Sequence, residues 1–193
     1  GSNNQFIQEI IGGWAISEAS GQNVVTSAGT ASASNNTVTV FSEEGVAEGD
    51  RNHFKEDILG GLAETAGKNG KAIANKNAVN LTRSEVDGDI YGGHALTHET
   101  AETNGNKVVL NETTVGGSIW GGFASSKDGS ILAQSSTANG NVVEVSDSRV
   151  STNIYGGQTK AENLAQTSGN RVDLVRTQVN TIWGGFAEST VLD

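Results

Sequence analysis

A chain of 193 residues with a formal net charge of −10 and only 12 scattered Lys and Arg has no basic stripe to neutralise phosphates, which excludes nucleic acid as a partner class. The absence of cysteine removes disulfides and thiolate metal sites together, and no apolar run approaches the length of a membrane span, so this fragment does not insert directly into a bilayer. With 26 glycines, no proline and 5% aromatic residues, the composition suits a narrow, repetitive β-structure better than a globule with a broad centre.

Gly1-Ser2 read as a cloning scar ahead of the first marked element, IIGGWA at 10–15. A polar stretch follows, and then a strand carrying Asn36, Val38 and Val40. Residues 41–57, the most charged segment, interrupt the frame and read as an inserted loop. The frame resumes with ILGGLA at 58–63 and Asn77-Val79-Leu81, and again with IYGGHA at 90–95 and Asn106-Val108-Leu110. SIWGGFA at 118–124 leads to Asn141-Val143-Val145, IYGGQT at 154–159 leads to Asn170-Val172-Leu174, and TIWGGFA at 181–187 closes the array. From Asn to the next Gly-Gly the interval is 15, 15, 15 and 14 in the last four repeats and 24 in the first. Within that half a hydroxyl residue (Ser84, Thr113, Ser148, Thr177), a valine (Val86, Val115, Val150, Val179) and an isoleucine (Ile90, Ile119, Ile154, Ile182) recur in order.

Alternation in Asn-x-Val-x-Leu places the three marked residues on one face of a strand. A repeat of short strands cannot bury its own apolar face and must stack on its neighbours. The expected fold is therefore all-β: a parallel β-solenoid (a right-handed β-helix) of about five to six rungs with protruding loops, forming one unit over 1–193. Equivalent residues should form ladders, including an Asn column bonded from rung to rung, with each glycine pair at a tight corner that needs positive φ or close backbone approach. Trp120 and Trp183 share a ladder position with Tyr91, Tyr155, Leu59 and Ile11. The polar segments 15–35 and 124–140 read as loops on one side. Both ends cut through the repeat frame, so the parent protein is expected to continue in both directions. A trimeric β-prism, in which strands wrap around two further copies, fits the low aromatic content equally well.

The residues DIYGGHA, NGNKVVLNETTVGGSIWGGFA and NGNVVEVSDSRVSTNIYGGQT resemble the degenerate repeats of large bacterial autotransporter passenger domains. The resemblance covers about residues 10–187. It implies a β-helical passenger displayed on the outside of a Gram-negative cell and anchored through a C-terminal barrel that this chain lacks. Two places depart from the pattern, the interruption at 41–57 and Thr159 where alanine otherwise recurs.

Four groups of polar residues invite chemistry. His94 and His98 have an i, i+4 spacing that brings two imidazoles together only on a helix, and this segment reads as an exposed loop. Asp87-Gly88-Asp89 offers oxygens for calcium but lacks a calcium-loop spacing and reads as a turn. Glu85, Glu112, Asp147 and Gln178 read as one outward slot, with Arg83, Arg149 and Arg176 nearby to pair them, which describes a solvated charged face rather than a catalytic acid pair. The sequons at Asn35, Asn80 and Asn111 arise largely from the repeat frame itself. No catalytic residue, metal or cofactor is assigned.

The expected function is a non-enzymatic adhesin segment, extracellular on the bacterial surface. It presents loops to a host-cell or bacterial surface protein or glycan, with self-association as a further mode. The expected partner-binding residues are Phe41, Glu43, Glu44, Asp50, Arg51, His53, Phe54 and Lys55 in the insertion, with Trp120 and Trp183 on the aromatic flank. A purely structural stalk and a glycan-cleaving β-helix are the alternatives.

Overall fold

The Asn-x-Val-x-Leu segments form five strands, Thr37–Phe41, Ala78–Thr82, Lys107–Asn111, Val142–Ser146 and Arg171–Val175, paired parallel without a register shift. Val38, Val79, Val108, Val143 and Val172 stand directly over one another. The computed structural model describes residues 5, 6, 8–18, 29–66, 69–125 and 133–189; the expected cloning scar at 1–2 and parts of both polar loops lie outside them. Five stacked strands correspond to about four turns of a parallel β-solenoid, and the described residues contain no α-helix.

Each rung runs through four short walls. The Gly-Gly segment makes the first, as in Ile90–Leu96 and Ile119–Ser125, and a short strand such as Thr100–Glu102 makes the second. The Asn-Val strand is the third. The fourth comprises Gln5–Phe6, Asn52–Phe54, Ser84–Val86, Thr114–Val115 and Arg149–Val150. The chain enters the third wall through a left-handed residue (Asn35, Lys76, Gly105, Gly140, Gly169) and leaves it through another (Arg83, Glu112, Asp147, Arg176). Such residues turn the chain sharply without consuming length.

The glycine pairs are not corners. None of them has a left-handed φ, and in Ile90–Leu96 and Ile119–Ser125 they lie inside a continuous strand. Close approach is what they provide. A Cβ on Gly92 would overlap the carbonyl oxygen of Gly121 on the next rung, and one on Gly93 would stand 2.6 Å from the side-chain nitrogen of Asn106. Gly61 and Gly157 meet Asn77 and Asn170 at the same 2.6 Å.

The expected Asn column is present, and its position explains why the two markers travel together. Asn36, Asn77 and Asn106 each donate from both the backbone N and Nδ2 to Oδ1 of the Asn on the next rung, at 2.9–3.2 Å. Asn141 does the same to Asn170. The Gly-Gly wall presses on this column and pinches each rung into two lobes. One lobe is aliphatic, filled by Ile58, Val79, Leu81, Val86 and Ile90, all essentially inaccessible, and by their equivalents, of which Ile10, Val40, Val172 and Leu174 are only partly buried. The other is narrow and lined almost entirely by alanine, among them Ala63, Ala72, Ala95, Ala101 and Ala124. Opposing backbones there leave room for a methyl group and little more.

Thr159 sits in the alanine lobe, stacked in register between Ala124 and Ala187, so the stacking is regular despite the departure. Its hydroxyl is fully buried without a hydrogen-bond partner. A single chain encloses both lobes, which makes this a solenoid and not a β-prism built from three copies.

Candidate functional site

Two features lie outside what the rod needs for its own closure. The first is the insertion, which is shorter than residues 41–57. Phe41 pairs with Thr82 and Asn52 with Ser84, so the single residue Arg83 of one rung corresponds to Ser42 plus the extra residues 43–51 of the other. Asn52, His53 and Phe54 belong to the fourth wall. Phe54 is therefore a core residue, 1% exposed and stacked on Phe6 at 4.7 Å, and cannot meet a partner. The frame contains the signal for this. Phe54 stands six residues before Gly60, as Val86 stands six before Gly92, a relation hidden when the count runs forward from Asn36.

The remaining insertion residues fall as follows. Glu43, Glu44 and Asp50 are exposed, as is Lys55 beyond the strand, and Phe41 is 67% exposed beside the insertion stem. A turn at Glu44-Gly45 and a single 3-10 turn over Glu48–Asp50 carry the chain back. Arg51 is half-buried and donates from Nη1 to the carbonyl oxygen of Glu112 two rungs away at 3.1 Å, while its buried Nε has no partner. This arm bends the insertion over the neighbouring corners and creates a groove of about 370 Å³, lined by Glu48, Arg51, Glu112, Asp147, Arg149 and Arg176 among others.

The expected single slot of Glu85, Glu112, Asp147 and Gln178 is in fact two columns. Glu112 and Asp147 belong to the left-handed corner column with Arg83 and Arg176, whereas Glu85 belongs to a different column with Thr114, Arg149 and Gln178. Within the corner column two acids lie between two bases, in the order Arg83, Glu112, Asp147, Arg176. Glu112 lies 3.8 Å from Arg83, and Asp147 accepts two hydrogen bonds from Arg176, which holds its carboxyl below the ordinary range. Arg149 carries no ion pair among the described residues and projects into the groove's margin.

The second feature is the outer aromatic face. Tyr91, Trp120, Tyr155 and Trp183 stack nearly parallel, with centroids 4.7, 5.5 and 6.5 Å apart. A second column runs beside it through Trp14, Leu62, His94, Phe123, Gln158 and Phe186. The rings spend their faces on each other and turn their edges to solvent. Interior members such as Leu59 and Tyr91 are 2% and 9% exposed, while Trp14 and Trp183, on the outermost described rungs, are 61% and 41% exposed. Trp120 is half-buried, and its Nε1 donates to Gln158 Oε1 at 2.6 Å.

His94 is not an exposed loop histidine. It lies in the strand Ile90–Leu96, stacks on Tyr91 at 4.7 Å, and has its Nε2 buried without a partner. Burial pushes its pKa down to about 4. His98 falls in the bend beyond, so the helical spacing has no bearing on the pair. Asp87-Gly88-Asp89 is a turn, as expected: Asp57 Oδ1 accepts from the Asp89 amide and Asp89 Oδ1 from the Ser118 amide, each at 2.7 Å. Neither a family model, nor a curated protein, nor a solved structure matches the chain.

Proposed function

We propose that this chain is a non-enzymatic recognition rod, a surface adhesin segment whose solenoid holds the 43–51 insertion clear of the axis for a protein or glycan partner outside the cell. The observation that carries the reading is the register on either side of the insertion. Phe41 and Asn52 pair with Thr82 and Ser84 of the next rung as though only Ser42 lay between them, so the nine extra residues 43–51 contribute nothing to closing the rung. Segments that a fold does not need, set on a rigid scaffold, are where recognition concentrates. Phe41 supplies an exposed aromatic anchor, Glu43, Glu44 and Asp50 supply exposed charge on the insertion, and Glu48 and Arg149 line the groove. The pairing of Glu112 with Arg83 and of Asp147 with Arg176 favours ion-pair ladders over acid catalysis as the role of these carboxylates.

The aromatic columns favour a second reading for the rest of the rod. Rings stacked face to face along the axis serve cohesion between rungs, which suits a stalk. The deciding experiment compares binding of the intact chain and of a variant lacking residues 43–51 to epithelial cells and to other bacteria, with circular dichroism confirming the fold of both. Binding that falls by an order of magnitude or more on deletion supports the insertion as the adhesive element. Equal binding by both would leave the insertion out of recognition, and no binding by either would make the segment a stalk.

A further inference from the structure

His53, Glu85 and Asp87 converge on the outer side of the fourth wall. His53 faces Glu85 directly across the paired strands Asn52–Phe54 and Ser84–Val86, and Asp87 follows at the bend. One ligand atom from each lies within 4.8 Å of the other two. His53 Nε2 stands 2.9 Å from Asp87 Oδ1, so the longer separations are those to Glu85, whose flexible arm can close them. Tetrahedral zinc, with bonds of about 2.0–2.2 Å, needs donors roughly 3.3 Å apart.

The neighbouring acids show what these three are not used for. Asp57 and Asp89 spend their carboxylates on backbone amides of the next rung. By contrast, the Glu85 carboxylate has no hydrogen-bond partner among the described residues, and the Asp87 carboxylate has His53 alone. A neutral imidazole and two carboxylates carry a formal charge that a divalent ion cancels. The surrounding corner is crowded with negative charge, since burial and neighbouring carboxylates hold Glu9 and Asp57 above their ordinary range.

We propose that His53, Glu85 and Asp87 form a three-ligand site for a divalent transition ion of the zinc class. An imidazole with two carboxylates suits zinc, cobalt and nickel, whereas calcium and magnesium prefer oxygen alone. The remaining coordination position faces solvent. The ion joins two adjacent rungs immediately after the insertion stem, so it braces the base of the 43–51 segment. This proposal does not depend on the adhesin reading.

The test uses the whole chain, free of any polyhistidine tag and stripped with a chelator. Calorimetric titration with zinc chloride should give one ion per chain, and cobalt should produce the visible absorption of a four- or five-coordinate centre. His53→Ala and Glu85→Gln, each shown folded by circular dichroism, should weaken zinc binding about tenfold or more. His98→Ala should bind as the parent does. Three results would overturn the site: no heat at roughly millimolar zinc, undiminished affinity in His53→Ala, or calcium binding as tightly as zinc, which marks diffuse attraction by the acidic corner.

Discussion

Asn52 donates from Nδ2 to the carbonyl oxygen of Phe41 at 3.0 Å, the same frame bond that Ser84 makes from its hydroxyl to the carbonyl oxygen of Thr82 at 3.2 Å. Thr113 to Asn111 and Thr177 to Val175 repeat it at 3.0 Å. The longer asparagine arm spans the mouth of the insertion and also bonds Ser42 Oγ, so the extra residues leave and re-enter the rung through one clasp.

Excising residues 43–51 while changing Ser42→Gly should therefore join Phe41 to Asn52 as Arg83 joins Thr82 to Ser84. The glycine accepts the left-handed conformation that this corner adopts elsewhere. Urea denaturation should place the shortened chain within about 1 kcal/mol of the parent. A loss of several kcal/mol would mean that the insertion is part of the rod's structure.

Asn106→Ala should be among the most damaging single changes. It removes the acceptor for both the backbone N and the Nδ2 of Asn77, which are buried. Asn77 Nδ2 keeps its bond to the Ala33 carbonyl oxygen, so the backbone N–H and one Nδ2 hydrogen are left unsatisfied, and the expected loss is about 2–3 kcal/mol in chemical denaturation. Asn80→Ala, on the outer face of the adjoining strand, should stay within about 0.5 kcal/mol of the parent.

Thr159→Ala should stabilise the chain. The buried hydroxyl has no partner and its column neighbours are Ala124 and Ala187, so the smaller side chain restores the repeat. A gain of about 1 kcal/mol is expected in the same assay.

The pH dependence of stability should carry a signature of His94. Its folded pKa, near 4, lies below the ordinary 6.5, so the folded state resists a proton that the unfolded chain accepts. Stability from this group is complete above about pH 6.5 and is lost as the pH falls toward 4, by about 2–3 kcal/mol. Glu9 and Asp57 act in the opposite sense, since carboxyls raised by burial favour folding as they take up protons. Comparing the parent with His94→Phe, which copies Phe123 of the next rung, isolates the histidine. The stability of the parent relative to His94→Phe should fall as the pH drops from about 6.5 toward 4, and a difference that stays constant over that range would refute the assignment.

Much of this architecture is legible in the residues. The Asn, Val, Leu and Ile ladders follow from alternation and constant spacing, because parallel stacking places like over like. Arg83, Glu112, Asp147 and Arg176 each break the two-residue alternation, yet all four stand six residues after their Asn while Glu85 stands eight after, so the frame itself separates the two columns. What is hidden lies elsewhere. The Gly-Gly pair invites a corner because glycine is the usual residue for one, yet here it admits the Asn column. The alanine lobe gives no separate signal, since a small residue inside and a small residue in a loop look alike until the facing strand is known. The meeting of His53 with Asp87 depends on recognising Asn52–Phe54 as a wall strand, which the inserted residues conceal.

The asparagine column has one further property. At each step the donor belongs to the earlier rung and the acceptor to the later, from Asn36 through Asn77, Asn106 and Asn141 to Asn170. The side-chain amide dipoles therefore point the same way and reinforce one another, as peptide dipoles do along a helix. The rod is electrically polar along its axis, and a rung stacked upside down would set carbonyl against carbonyl. This column holds every rung to one orientation along the axis.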